Sequence, residues 1–272
     1  MTRMTGKNGT KKKKKQDISA MKNVHIILQG KGGVGKSLIA TFLCQFLMRK
    51  VSFENVLAID TDPVNQSLAG YTALNATVLD IKNGDQIDQL KFDQLIDIIA
   101  AQDENKHIVV DNGASSFIPL CSWMIENHTV EILRTLGAEV YFHSVITGGM
   151  GMFDTMNGLS DMALQLAHPK SIVVWLNEYY GPIVGYEPDG STYDFEEFSS
   201  YRESKDKIRA IVRIPNKSPQ TFGVNLEQLF TKKMLFAHGI DDTRFTIMAR
   251  QRLSLWWEEM CAQLEPFYAS IV

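Results

Sequence analysis

Eight consecutive residues, Gly30-Lys31-Gly32-Gly33-Val34-Gly35-Lys36-Ser37, carry the spacing G-x-x-x-x-G-K-[ST] of a loop that cradles phosphate. Each residue type meets a need of that chemistry. Gly30 and Gly35 permit backbone angles that other residues resist. Gly32 and Gly33 have no Cβ, so the backbone comes close to phosphate oxygens. The loop N–H groups then converge on the anion, and the positive end of a following helix adds to their field. Lys36 supplies a point charge for the β- and γ-phosphates, and the Ser37 hydroxyl supplies a ligand for Mg²⁺. The expected nucleotide-binding set runs on to Leu38 in the first turn of that helix.

Three acids have the right placement to complete such a site. Asp60 and Asp62 follow the apolar run Val56-Leu57-Ala58-Ile59, and Asp111 follows His107-Ile108-Val109-Val110. In open parallel sheets ligands bind beyond the carboxyl ends of the strands, so these acids should collect at the edge that carries the phosphate loop. Hard oxygen ligands suit Mg²⁺, which binds through one or two carboxylates plus phosphate. Asp111 is the candidate acid of the Mg²⁺ shell. Asp60 and Asp62 would face opposite sides of a continuing strand and need not share a role. A single Asp after a strand also serves as a turn or cap residue; three beside a phosphate loop shift the balance to function.

The elements that must position these groups alternate along the chain. Val24-His25-Ile26-Ile27-Leu28 suits a strand buried on both faces. Ile39, Phe42, Leu43, Phe46 and Leu47 fall on one helical stripe after the loop. Residues 64–88 predict loop with short helical pieces, and Phe92, Leu95, Ile96 and Ile99 a helix. A helix is expected over much of 117–135, a strand at 139–146, a helix to about Leu166, and a strand at 171–176 ending in Asn177. Residues 179–193 predict an irregular loop, 207–214 a strand stopped by Pro215, and 225–236 and 244–264 helices. The pattern predicts an α/β fold, a doubly wound, mainly parallel sheet flanked by helices. Tyr179, Tyr180 and Tyr186 either form a partner surface or pack their loop onto the body. Trp256 and Trp257 are expected in the core.

Composition bounds the rest. The apolar fraction of 44% is that of a globular protein with a full core. No apolar run approaches the ~20 residues that span a bilayer, and the lysine-rich start lacks the apolar stretch of a secretory signal. Cys44, Cys121 and Cys261 share no metal-like spacing, as expected of reduced thiols in a cytoplasm. Residues 1–20 carry Arg3, Lys7 and Lys11 to Lys15 against Asp17, a net +6, so a chain of net charge −3 leaves −9 on the remainder. The body is therefore acidic, and DNA contact is expected only through the basic tail, which is either a disordered extension or a patch for nucleic acid or an acidic membrane. Residues 21–272 are expected to form a single ATPase domain.

The residue before the second glycine of the loop narrows the reading. Lys31-Gly-Gly-x-Gly-Lys36-Ser37 resembles the deviant Walker A of the ParA/MinD family, and Ile59-Asp60-Thr61-Asp62-Pro63 resembles that family's D-x-D-P segment. Further segments are similar to the TraL-type ATPases of conjugative plasmids: Gly70-Tyr-Thr-Ala-Leu-Asn75, Asp111-Asn-Gly-Ala-Ser-Ser-Phe117, Val145-Ile-Thr-Gly-Gly149, Val173 to Asn177 with Tyr180-Gly-Pro-Ile183, and Ile247 to Leu253. The resemblance implies an ATP-dependent homodimer around two ATP molecules, which hydrolyses ATP to ADP. It implies that Lys31 reaches the partner's nucleotide, Asp62 positions the attacking water, and Asp60 acts near the Mg²⁺ shell. It places Asn177 and Pro215 beside the adenine, although Asn177 at a strand end also suits a simple turn. Val64-Asn65 after Pro63, and Gly113 two places beyond Asp111, depart from the broader family pattern in both loops that would sense the γ-phosphate.

Three functions fit this pattern. The first is an ATP-driven dimerisation switch in conjugative DNA transfer, with a protein partner in the conjugation apparatus. The second is a partition ATPase that binds DNA non-specifically, against which the acidic body counts. The third is a metabolic ligase or kinase on the same scaffold, which would need a second catalytic constellation that the sequence does not offer.

Overall fold

A computed structural model describes residues 21–271; the expectations for the basic tail lie outside them. The chain runs β1 (Lys22–Ile27), α1 (Lys36–Lys50), β2 (Val56–Asp60), β3 (Thr77–Val78), β4 (Lys82–Asn83), β5 (Gln86–Ile87), α2 (Phe92–Ala100) and β6 (His107–Asp111). It continues through α3 (Phe117–Glu126), α4 (Thr129–Thr135), β7 (Ala138–Thr147), α5 (Met152–Gln165) and β8 (Ile172–Asn177). The last part holds β9 (Val184–Tyr186), β10 (Thr192–Asp194), α6 (Ser199–Ser204), β11 (Ile208–Arg213), α7 (Val224–Thr231), α8 (Phe236–Asp241) and α9 (Ile247–Ala269).

Seven strands form one sheet in the order β11-β8-β7-β1-β6-β2-β3, and every pairing in it is parallel. The middle strands are buried on both faces, in keeping with their largely apolar runs. α2 to α5 pack on one face of the sheet, with Phe92, Trp123, Leu133 and Leu159 in that core. α1, α7, α8 and α9 cover the other. The chain leaves β1 for one face and β6 for the opposite face, so the neighbouring carboxyl ends of β1 and β6 open into a crevice.

α1 is buried on more than the expected stripe: Ala40, Thr41, Cys44 and Gln45 are also inside. The C-terminal helices form a second layer over its back. Phe42 meets the Trp256 ring at 5.1 Å, and Phe236 stacks on Trp257 at 4.7 Å. The two tryptophans are core residues, as expected.

Four local expectations are corrected. The helix expected across 117–135 breaks at His128, whose φ of 49° is left-handed, while the Asn127 side chain donates to the Trp123 carbonyl and caps α3. Residues 64–88 contain the β4/β5 hairpin as well as β3, and 179–193 contain the β9/β10 hairpin. A helix that the sequence did not suggest, α6, precedes β11. Tyr179 and Tyr186 do not pack their loop onto the body; they are 81% and 71% exposed. Tyr193, Phe195 and Phe198 do that packing, with Tyr193 against Phe198 at 4.8 Å.

Candidate nucleotide-binding site

The phosphate loop connects β1 to α1, as the motif requires. Gly35 stands before α1 with φ of 102°, a left-handed conformation that a side chain would strain. Val34 and Lys36 are buried, Ser37 and Leu38 half-buried, and Gly30 to Gly33 exposed. The Lys36 ammonium donates to the Lys31 carbonyl at 3.0 Å, across the mouth of its own loop. Burial pushes the Lys36 amine down from its usual range, and the charges of Asp111 and Asp62 oppose that shift.

Asp111 ends β6 directly beside β1, with Ile27 as its register partner. Its carboxyl is 1% exposed, and neither oxygen has a hydrogen-bond partner of good geometry among the described residues. Burial pushes it up to about 7, the nearby Ser37 hydroxyl favours the charged form, and Asp60 disfavours it. A buried carboxylate without partners is costly unless a cation joins it. Ser37 and Asp111 therefore fit Mg²⁺.

The other two acids take different places. Asp60 is fully buried, and its oxygens accept from the backbone N–H of Asp62 at 3.0 Å and of Ala69 at 2.9 Å. It ties down the ends of the loop that carries Asp62. Burial raises its carboxyl while those N–H groups oppose the rise. Asp62 accepts from Val64 and Asn65 N–H at 2.8 and 3.0 Å, which turns the chain after Pro63. Its carboxyl lies against Gly113, where a Cβ would come within 2.7 Å of it. The glycine that departs from the broader family pattern thus makes room for Asp62. The two acid loops are also joined: the Thr61 N–H donates to the Asp111 carbonyl at 2.9 Å, and Thr61 Oγ1 to Asn112 Oδ1 at 3.3 Å.

Lys31 points away from the loop mouth and pairs with Asp154 of α5 at 2.8 Å, with both side chains exposed. Beside it a pocket of about 420 Å³ is lined by Lys31 to Val34, Thr147 to Gly151 and Tyr180. Asn177 donates through Nδ2 to the Val34 carbonyl at 2.9 Å, and its Oδ1 accepts from Tyr179 N–H at 3.2 Å. Pro215 is half-buried just past β11, and its carbonyl accepts from the Trp256 indole at 3.0 Å. The structure therefore gathers the phosphate loop, the three acids and Asn177 at one edge. Sequence reasoning assigned no role to Asp154, Thr147 or Gln29, and gave Tyr180 only a partner-surface or loop-packing role. The signal available was their place in or beside the segments that set the subgroup apart. Gln29 holds β7 to α5 by donating to Val145 and Thr155 carbonyls at 3.0 and 3.1 Å.

A parallel sheet with a phosphate loop after its central strand, and a buried acid ending the next, defines a P-loop nucleotide-binding α/β protein. The family description "CobQ/CobB/MinD/ParA nucleotide binding domain" matches residues 25–232, and the chain belongs to that family. It is 40% identical to Protein TraL of Escherichia coli over 245 residues, which covers 90% of this chain and 98% of that protein. A second Protein TraL from Escherichia coli is 39% identical over the same shares. The MinD cell division protein of Aquifex aeolicus aligns over 89% of this chain and 96% of its own, at 16% identity and a TM-score of 0.49, a distant likeness. No helix among the described residues is long and apolar enough to cross a membrane.

Proposed function

We propose that this chain is an ATPase of one domain, residues 21–272, which binds ATP, dimerises around it and hydrolyses it slowly, as a switch in conjugative plasmid DNA transfer. The observation that carries the reading is the partnerless, buried Asp111 carboxyl beside the phosphate loop. Such a group is poised for a cation that arrives with phosphate. Ser37 and Asp111 would hold Mg²⁺, which when bound neutralises charge between the β- and γ-phosphates. Lys36 leaves the Lys31 carbonyl for the phosphates. Asp60 acts from behind, fixing the loop that presents Asp62 to the attacking water, and Asn177 and Pro215 flank the adenine. Lys31 is not needed to hold the nucleotide in its own subunit. Released from Asp154, it becomes the group that a second copy meets. The resemblance to TraL proteins supports the process and a conjugation protein as partner.

Light scattering with and without ATP, run beside a phosphate-release assay, tests the reading. ATP should double the scattering mass, and phosphate should be released without a co-substrate. Hydrolysis by a strict monomer, or release that requires an acceptor molecule, would refute it.

A further inference from the structure

The phosphate loop is held from outside by the turn after β8. Asn177 donates to the Val34 carbonyl at 2.9 Å in a buried contact, and Tyr180 Oη donates to the Gly33 carbonyl at 3.3 Å. These are consecutive peptide units. A trans peptide directs its C=O and the next N–H in opposite directions. Drawing the Gly33 and Val34 carbonyls toward the turn therefore turns the N–H groups of Val34 and Gly35 away from it, free for an anion. Side chains that accepted hydrogen bonds from the same loop would do the reverse. Both contacts here use the side chain as donor and the loop carbonyl as acceptor.

The turn is itself braced. Gly148 lies so close to it that a Cβ would fall 2.0 Å from the Gly181 carbonyl oxygen, and one on Gly149 would fall 2.7 Å from that of Tyr180. The braced segment leads into α5, whose Asp154 holds Lys31. The turn and α5 thus grip the loop at Lys31, Gly33 and Val34.

We propose that Asn177 and Tyr180 are positioning residues for the phosphates: a two-armed clamp that presets the loop N–H groups before nucleotide arrives. The proposal rests on the reading that this loop binds nucleotide, and it assigns Asn177 a task separate from any contact with the base. Preorganised donors bind more tightly because the loop is not ordered at the moment of binding. Each arm is one hydrogen bond, so its loss should cost about fivefold in affinity at the exposed Tyr180 and about tenfold at the buried Asn177.

The test uses the full chain. Tyr180→Phe keeps the ring and removes the donor; Asn177→Ala removes the buried arm. Affinities for ATP, GTP and inorganic tripolyphosphate are measured by calorimetry, directly or by competition. Amide order parameters at residues 30–37 are measured by NMR in nucleotide-free protein. The clamp requires that tripolyphosphate weaken along with both nucleotides and that the order parameters at Val34 and Gly35 fall without ligand. A loss confined to ATP, with tripolyphosphate binding and order parameters unchanged, would assign Asn177 to the base alone and overturn the clamp. Unaltered affinity and order parameters in Tyr180→Phe would remove the second arm, and this variant decides even if Asn177→Ala does not fold. Wild-type protein that binds none of the three ligands would instead refute the nucleotide-binding reading itself.

Discussion

The sheet buries polar side chains in two places, and they are built in opposite ways. Across β1, β6 and β7, the rings of His25, His107 and His143 form a chain beneath α9. Trp175 donates to His143 Nδ1 at 2.9 Å. An indole N–H can only donate, so it fixes the direction of donation along the whole row. His143 must carry its proton on Nε2, 3.2 Å from His25 Nδ1; His25 then carries its own on Nε2, 3.2 Å from His107 Nδ1. The network assigns these tautomers. At the carboxyl edge the arrangement reverses. Asp111 is buried without partners, and the Thr147 hydroxyl beside the Lys31 pocket is likewise buried and unpartnered. The first group is complete within the fold; the second is completed from outside. Burial of polarity alone therefore does not mark a site, and neither does a lone unpartnered hydroxyl, since Ser144 on β7 is also buried without a partner among the described residues. Asp111 stands out because the group so placed is a carboxyl beside the phosphate loop.

Acid should separate the two most. Burial holds His107 down to about 4 and His143 to about 3, and His25 well below its usual range, with the other two rings adding to its shift. All three bind protons more weakly folded than unfolded. Between pH 6.5 and those values the unfolded chain takes up more protons, so stability rises with pH. The contribution is complete above pH 6.5 and is lost as the pH falls toward 4. At pH 5, keeping each ring neutral costs about 2 kcal/mol relative to the unfolded chain, several kcal/mol for the row. Urea melts at pH 7 and pH 5 measure this when run in Asp111→Asn, because the raised Asp111 carboxyl takes up a proton in the folded state over the same range and shifts stability the opposite way. Equal stability at both would show that the row accepts charge and would break the contrast.

Lys31→Ala probes the other end. Its exposed pair with Asp154 contributes at most about 1 kcal/mol to stability, so the fold should be unaffected and ATP should still bind. Trans stabilisation of transferred phosphate is worth roughly 10³-fold or more, so phosphate release should fall by about that factor and ATP-induced dimers should vanish. Asp62→Ala should still dimerise with ATP but accumulate as the unhydrolysed dimer. Normal turnover in Lys31→Ala would show that the edge is complete within one subunit, and normal turnover in Asp62→Ala would remove Asp62 from the positioning of the water.

Lys36→Ala comes next. Its ammonium donates to the Lys31 carbonyl in the ligand-free fold, and losing its charge-assisted contact with phosphate should weaken ATP about a hundredfold. Calorimetry would show wild-type affinity if Lys36 were merely closing the loop.

Much of this edge was legible in the sequence because its signals are local. The loop spacing, the apolar run before it and the stripe after it lie within one stretch, and Asp60 and Asp111 each end an apolar run. The hairpins were not legible. β4, β5, β9 and β10 have two or three residues each, and their faces are largely exposed, so no apolar alternation betrays them. The break at His128 depends on a left-handed residue that is not glycine. The contact of Asn177 with Val34 spans 143 residues and exists only once β8 and β1 lie in one sheet. The histidine row shows the same limit. Each histidine sits in an apolar run that promised burial, but the partners that make burial tolerable come from other strands.

The smallest effect gives the sharpest test of the contrast. Asp111→Asn keeps the shape of the side chain but removes a charge that burial and the carboxyls of Asp60 and Asp62 disfavour, against the weaker pull of the Ser37 hydroxyl and the Lys36 ammonium. If the edge is built for a ligand, the nucleotide-free variant should be as stable as wild type or about 1 kcal/mol more stable, because removing a poorly compensated buried charge relieves the fold. The same change removes a hard oxygen ligand, so the rise in melting temperature that Mg²⁺ and ADP together give the wild type should shrink markedly. Thermal melts of both proteins, ligand-free, with ADP alone and with ADP plus Mg²⁺, supply the six values needed. Substituting His25 by Phe supplies the opposite reference, since it takes away the partner of His143 Nε2 and of His107 Nδ1 and should destabilise by about 1–3 kcal/mol whether or not nucleotide is present. If Asp111→Asn instead lowers the stability of the free protein as much as His25→Phe does, Asp111 is a structural group like the histidines, and the distinction between the middle and the edge of this sheet fails.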